Sequence, residues 1–172
     1  MGQYIIDAHA HLWLNVDTVV NGSPIHALEP NRSRSLFFGE ERQMLPPYMT
    51  DGQNTAERFL SNMDYAQVSA AVITQEFIDG PQNDYLLDVQ QRYPIRFFCF
   101  GMPETRQPGF LAQAETLMAQ GFRGLKIPAA RLPQQFLTDE MMQMFRMMSQ
   151  HDILLGIELA DIEEAWEKTG KQ

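Results

Sequence analysis

The segment Ile5-Ile6-Asp7-Ala8-His9-Ala10-His11-Leu12-Trp13 opens with two β-branched residues and then sets two histidines two positions apart. β-Branched side chains favour the extended backbone. Side chains two apart on a strand point to the same face. A strand over residues 4–8 therefore delivers His9 and His11 to one side, at its C-terminal end. Two imidazoles on one side are the beginning of a Zn²⁺, Mn²⁺ or Fe²⁺ site. A His-x-His pair alone also suits two structural or surface histidines. The strand before it, Trp13 after it and the long polar stretch beyond favour the metal reading.

Working outward, strand and helix alternate. Helical spacing of Ala56, Phe59, Leu60 and Met63 predicts a helix over 55–67 with Thr55 as its cap. Strands follow at 69–74, 95–101, 122–127 and 153–159, separated by helices at 82–92, 108–119 and 138–150, with a short polar helix at 161–168. Gly121 supplies the stop for the third helix. The strand centres Val72, Phe98, Leu125 and Leu155 recur every 26 to 30 residues, the period of a βαβ unit. These strands are short and apolar on both faces, as parallel strands covered by helices are. The fold class is α/β with a parallel sheet of about five strands. In the 138–150 helix, Met141, Met144, Phe145 and Met148 share one face, which reads as a helix laid on the sheet.

The stretch from about 14 to 54 is too long for a βα connection, where two to six residues are usual. Its apolar clusters, Leu36-Phe37-Phe38 and Met44-Leu45-Pro46-Pro47-Tyr48-Met49, favour a packed loop or flap beside the histidines. His26 within it reads as a surface or hydrogen-bonded residue.

The chain has 172 residues, 44% hydrophobic and 20% charged, enough for one domain with a real core. Its net charge of −9 argues against nucleic-acid binding, which needs a basic face, and against anionic membranes. The one cysteine, Cys99, lies among phenylalanines and reads as a buried, unreactive thiol that suits a reducing cytoplasm. No signal peptide or membrane-spanning run is expected.

Ile-Ile-Asp-Ala-His-Ala-His-Leu-Trp resembles the opening of the amidohydrolase superfamily, more narrowly the amidohydrolase-related branch with its aminocarboxymuconate-semialdehyde decarboxylase-like enzymes and lactone hydrolases. Gly121-Phe122-Arg123-Gly124-Leu125-Lys126-Ile127 is similar to the fourth-strand signature of that branch. The resemblance runs from about residue 4 to 159 and implies a TIM-barrel type of fold. It implies that His9 and His11 are metal ligands. The position of the family's strand-five histidine is held here by Glu158, whose carboxylate can replace an imidazole on zinc. Lys126 has three readings: a carbamylated metal bridge, a cation aimed at an anionic substrate, or a structural ion pair. Trp13, Gln75, Lys126 and Arg131 are expected to bind substrate, with Glu76 and Arg106 also near the pocket.

An eight-stranded barrel takes roughly 250 residues, so this chain is expected to form a partial barrel, 1–172, that stops before the family's strand-six histidine and strand-eight aspartate. Asp161 is a nearby carboxylate without a supporting motif, and no catalytic base is assigned. An open sheet leaves two edges unpaired, a hazard that a homodimer would cover; a fragment or shortened form of a longer protein is the other origin. Two functions follow. One is a metal-dependent hydrolase, most simply with Zn²⁺, acting on a small lactone, cyclic amide or carboxylated ring compound. The other is an inactive partial barrel serving as an assembly or binding module.

Overall fold

The computed structural model describes residues 3–20, 22–76, 78–129, 132 and 137–158. The chain begins with β1 (Ile6–Ala10) and passes through four short strands, β2 (Asp17–Val20), β3 (Ser23–Ala27), β4 (Arg34–Phe37) and β5 (Glu40–Gln43). Alternation then sets in: α1 (Ala56–Tyr65), β6 (Ala70–Ile73), α2 (Asn83–Arg92), β7 (Phe97–Cys99), α3 (Phe110–Ala119), β8 (Gly124–Ile127), α4 (Asp139–Gln150) and β9 (Leu154–Ile157). The expected 161–168 helix lies outside the described residues.

The strands β1, β6 and β7 pair in parallel in that order, and β8 pairs in parallel with β9. Gly101 joins the two sets: its N–H reaches Gly124 O at 2.9 Å and its carbonyl accepts from Lys126 N at 2.8 Å. This is the parallel βα arrangement the sequence predicts. The helices cover one face, where Ala10, Ala71, Ile73, Phe97, Cys99, Leu125 and Ile127 are buried against α1 to α4. The other face is apolar but partly open. Ile6 is 55% and Leu154 57% exposed, and a groove of about 710 Å³ runs past them, Val72 and Phe98 at the N-terminal ends of the strands.

Local sequence accounts for the elements. Thr55 and Thr138 each accept a hydrogen bond from the third residue on, Arg58 N and Met141 N, and so satisfy a donor that the first helical turn leaves free. At the end of α3, Gly121 takes a left-handed φ of 110°. There Phe122 N bonds Leu117 O and Gly121 N bonds Met118 O, closing the helix. Met141, Met144 and Met148 of α4 are buried, and Phe145 packs against the same core.

Strand β1 sits two residues later than its apolar start suggests. Its ladder begins where β6 begins, at Ile6↔Ala70 and Asp7↔Ala71, and resumes at Ala10↔Ile73. Ala8 and His9 together oppose Val72, so the strand carries a β-bulge. The carboxylate of Asp7 accepts from His9 N at 3.1 Å across it. Because of the extra residue, Ile6 and His9 share the open face although their numbers differ in parity.

The stretch from 14 to 54 is more ordered than a flap. Its strands β2 to β5 form an antiparallel sheet in sequence order, with a small core of Val16, Val20 and Ile25 backed by Trp13, Phe37 and Ile78. The strands are four or five residues long and one, Glu-Glu-Arg-Gln, is wholly polar. Across the β4–β5 ladder Arg34 faces Gln43, and its guanidinium reaches Glu41 at 3.4 Å.

Candidate functional site

The C-terminal ends of β1, β6, β8 and β9 bring together the chemistry. His9 and His11 extend from β1 and meet, Nε2 to Nε2, at 3.1 Å, with their rings edge to face. The next strand orients them. The Nδ1 of His11 lies 3.2 Å from Thr74 O, while Thr74 Oγ1 lies 3.3 Å from both His9 Nε2 and His11 Nδ1. Facing a carbonyl, His11 Nδ1 carries the hydrogen, which makes Nε2 the acceptor atom, turned toward His9 Nε2.

Beyond Thr74, the side chain of Glu76 turns toward the same place. Its Oε1 is 4.0 Å from His11 Nδ1 and accepts from Lys126 Nζ at 3.3 Å. His9, His11 and Glu76 each offer a ligand atom, all within 4.8 Å of one another. Neighbouring ligands on a divalent ion, at about 2.0–2.2 Å from it, stand about 2.8–3.6 Å apart between octahedral and tetrahedral geometry. The 3.1 Å between the two Nε2 atoms fits that spacing, and two imidazoles with a carboxylate are a donor set for Zn²⁺, Mn²⁺ or Fe²⁺.

Burial shapes the charge. It pushes the His11 pKa down, against the Thr74 carbonyl, with His9 and Lys126 adding to the lowering, so the ring is neutral at pH 7 as a ligand must be. Burial also pushes Glu76 up, a loss of acidity that the Lys126 ammonium only partly offsets. Asp79, 6% exposed in the loop after β6, is raised to about 7, first by burial and then by the Glu76 charge. The thiol of Cys99 is fully buried and pushed up to about 12, far from reactive.

The expected site residues fall into several places. His9 and His11 converge. Glu158, expected as the third ligand, sits at the end of β9; its Oε2 accepts from Ala129 N at 3.2 Å. The carboxylate that the structure groups with the histidines is Glu76. Lys126 is 4% exposed and bonded to that carboxylate, at the rim of the cluster. Gln75 is 2% exposed and held by three hydrogen bonds: its Nε2 donates to Asn83 Oδ1 at 2.9 Å and Phe100 O at 2.8 Å, and its Oε1 accepts from Gln82 N at 2.7 Å. These bonds make Gln75 a clamp between β6, β7 and α2. Trp13 donates from Nε1 to Gly52 O at 2.9 Å and closes the base of the β2–β5 insertion. Arg106 donates from Nε to Leu132 O at 3.3 Å. Arg131 and Asp161 lie outside the described residues. The sequence reading missed Thr74 and Asp79 altogether, and placed Glu76 only as a pocket wall.

A parallel βα fold with paired histidines at the strand ends defines a class, and the comparisons agree with it. The Amidohydrolase family model matches residues 6–167, and the chain belongs to that family. Among solved structures the chain is similar to a probable 2-pyrone-4,6-dicarboxylic acid hydrolase from Acinetobacter baumannii, crystallised with citric acid, at 20% identity and a TM-score of 0.57. The alignment covers 90% of this chain and 49% of that one, so the chain spans about half the length of that relative. It also resembles a manganese-bound 5-carboxyvanillate decarboxylase from Novosphingobium aromaticivorans at 21% identity and a TM-score of 0.49, over 67% of this chain and 39% of the other. No curated protein matches the chain. Among the described residues, no helix is long and apolar enough to cross a membrane.

Proposed function

We propose that this chain carries the first part of a metal-dependent hydrolase site, with His9, His11 and Glu76 holding one divalent cation, Zn²⁺ in the simplest case. The convergence of the two Nε2 atoms at 3.1 Å, with His11 Nδ1 on Thr74 O, is the observation that carries this reading. Such a cation supplies Lewis acidity toward a carbonyl and acidifies bound water. The chain's own residues do the rest. Thr74 fixes the His11 tautomer, and burial keeps that ring neutral. Lys126 adds a buried positive charge at the rim, which suits a substrate bearing a carboxylate. The substrate class is a small lactone, cyclic amide or carboxylated ring compound, and the dicarboxylated pyrone named for the Acinetobacter protein belongs in the first screen. Glu158, close enough to act on the charges of both His11 and Glu76, is a fourth candidate ligand. A reducing cytoplasm suits the buried Cys99 thiol.

Elemental mass spectrometry of protein prepared without chelator or affinity-tag metal is the test. Near-stoichiometric Zn, Mn or Fe in the wild type, and none in a His9→Ala/His11→Ala double variant that still folds, is the expected result. Equal metal in the double variant would overturn the assignment.

The open apolar face favours a second reading, an assembly module without activity of its own. Ile6 and Leu154 are more than half exposed on it, and a second copy of the chain would cover it together with the free edges of β1 and β9. A metal-free protein with a dimeric solution mass is the result that would favour this reading over the first.

A further inference from the structure

We infer that Asn54, at the far end of the β2–β5 insertion, is a positioning residue for the metal site; the inference rests on the proposal that His9 and His11 are ligands. Strand β1 runs out of ladder between its two histidines, after Ala10. Ala10 O still accepts from Thr74 N at 2.9 Å, but the carbonyl of His11 lies one residue beyond. Its partner is the side chain of Asn54, whose Nδ2 donates to His11 O at 2.7 Å. The same residue pairs by its backbone with Trp13: Trp13 N reaches Asn54 O at 3.1 Å and Asn54 N reaches Trp13 O at 3.0 Å. Asn54 therefore grips the chain on both sides of Leu12.

Asn54 is itself fixed. It precedes Thr55, the cap of α1, and the next residue donates from Ala56 N to Tyr85 OH at 2.8 Å. The orientation of the His11 peptide sets the direction of its Cα–Cβ bond, and hence where Nε2 lies relative to His9 Nε2. A carbonyl left free to rotate would let the ring swing on its Thr74 contact. The insertion is thus tied to the site by one side-chain amide as well as by chain continuity. Asparagine is the residue the geometry needs: it offers an N–H donor on a short stem, and aspartate of the same shape offers none.

The experiment is a titration of metal-free protein with Zn²⁺ and with Co²⁺, reading the dissociation constant and the visible absorption of the cobalt form. Three variants are compared with the wild type: Asn54→Asp, Asn54→Ser in case the aspartate does not fold, and Gln43→Ala. Gln43 braces the insertion internally, donating to Ser33 Oγ at 2.8 Å and Leu45 O at 2.7 Å without touching His11, so it reports loss of insertion stability alone. The expected result is a dissociation constant raised about tenfold or more in the Asn54 variants, the range typical of groups that orient ligands, with an altered cobalt spectrum. Gln43→Ala should lower the melting temperature and leave both readings at their wild-type values. Asn54 variants that bind within twofold of the wild type with the same spectrum would overturn the inference, as would Gln43→Ala weakening binding equally. Wild-type protein that binds neither ion would overturn the metal reading beneath it.

Discussion

The ammonium of Lys126 and the carboxylate of Glu76 stand 3.3 Å apart across the strand ends, with the lysine side chain 5% and the glutamate 18% exposed. A pair so withdrawn from water is costly to break from one side, because the survivor keeps its desolvation and loses its partner. Lys126→Met should therefore destabilise the fold by about 3 kcal/mol, and the added change Glu76→Gln should recover part of that loss. Urea unfolding of both variants and the wild type measures it. A double variant no more stable than Lys126→Met would show that the two side chains act independently.

The carboxylate that completes the histidine pair can be identified by substitution. Glu76→Gln should weaken Zn²⁺ binding by at least about tenfold, since a neutral amide is a poorer zinc ligand than a carboxylate. Glu158→Gln should change it less, because Glu158 Oε2 is already engaged by Ala129 N. The reverse order in a competition titration would return the role to Glu158.

Asp79 should make stability depend on pH. Its folded-state pKa of about 7 lies well above the ordinary carboxylate value of 3.8. Between these values the folded protein holds a proton that the unfolded chain has released. Stability is then fully present below about pH 4, falls as pH rises through that window by up to about 1.4 kcal/mol per unit, and levels off above about pH 7. Asp79→Asn should flatten this part of the melting-temperature profile. An unchanged profile would mean that Asp79 ionises in the fold without cost.

On the open face, the ring of Phe100 lies across two glycines. A Cβ at Gly124 would come within 2.6 Å of that ring, and one at Gly156 within 3.1 Å. Gly124→Ala should therefore force the ring aside and cost about 1–3 kcal/mol, the usual penalty for overpacking, with Gly156→Ala costing less. Thermal melts of the two variants give the comparison, and equal losses would argue against this packing.

Much of the scaffold is legible in the sequence, because it rests on local periodicity. The apolar run around Leu125 and the helical spacing of Met141, Met144 and Met148 each announce their element, and Thr55 and Gly121 mark where helices start and stop. The histidines are legible for the same reason, since alternation along a strand is a local rule. Other features depend on partners distant in sequence. Glu76 belongs to a loop after β6, where no period predicts direction, and only the fold brings it to His11, 65 positions earlier. Thr74 looks like the last residue of an apolar strand until its carbonyl is seen beside an imidazole. The β2–β5 sheet escapes because its strands are short and one of them is wholly polar, so their pairing is set across the sheet and not along the chain.

The base of that insertion has a consequence for how such a protein can change. Residues 14–53 leave and return through a single facing pair, Trp13 and Asn54, joined by two backbone hydrogen bonds. Beyond that pair the insertion also rests on Gln82, Arg58 and Ile78, while closing a longer or shorter loop on a fixed base alters the free energy only slowly with length. The segment is therefore exchangeable: a different fold could be grafted between these two residues while the histidines stay in register. Such a joint would let the segment between Trp13 and Asn54 be replaced while the histidine-bearing strand keeps its place.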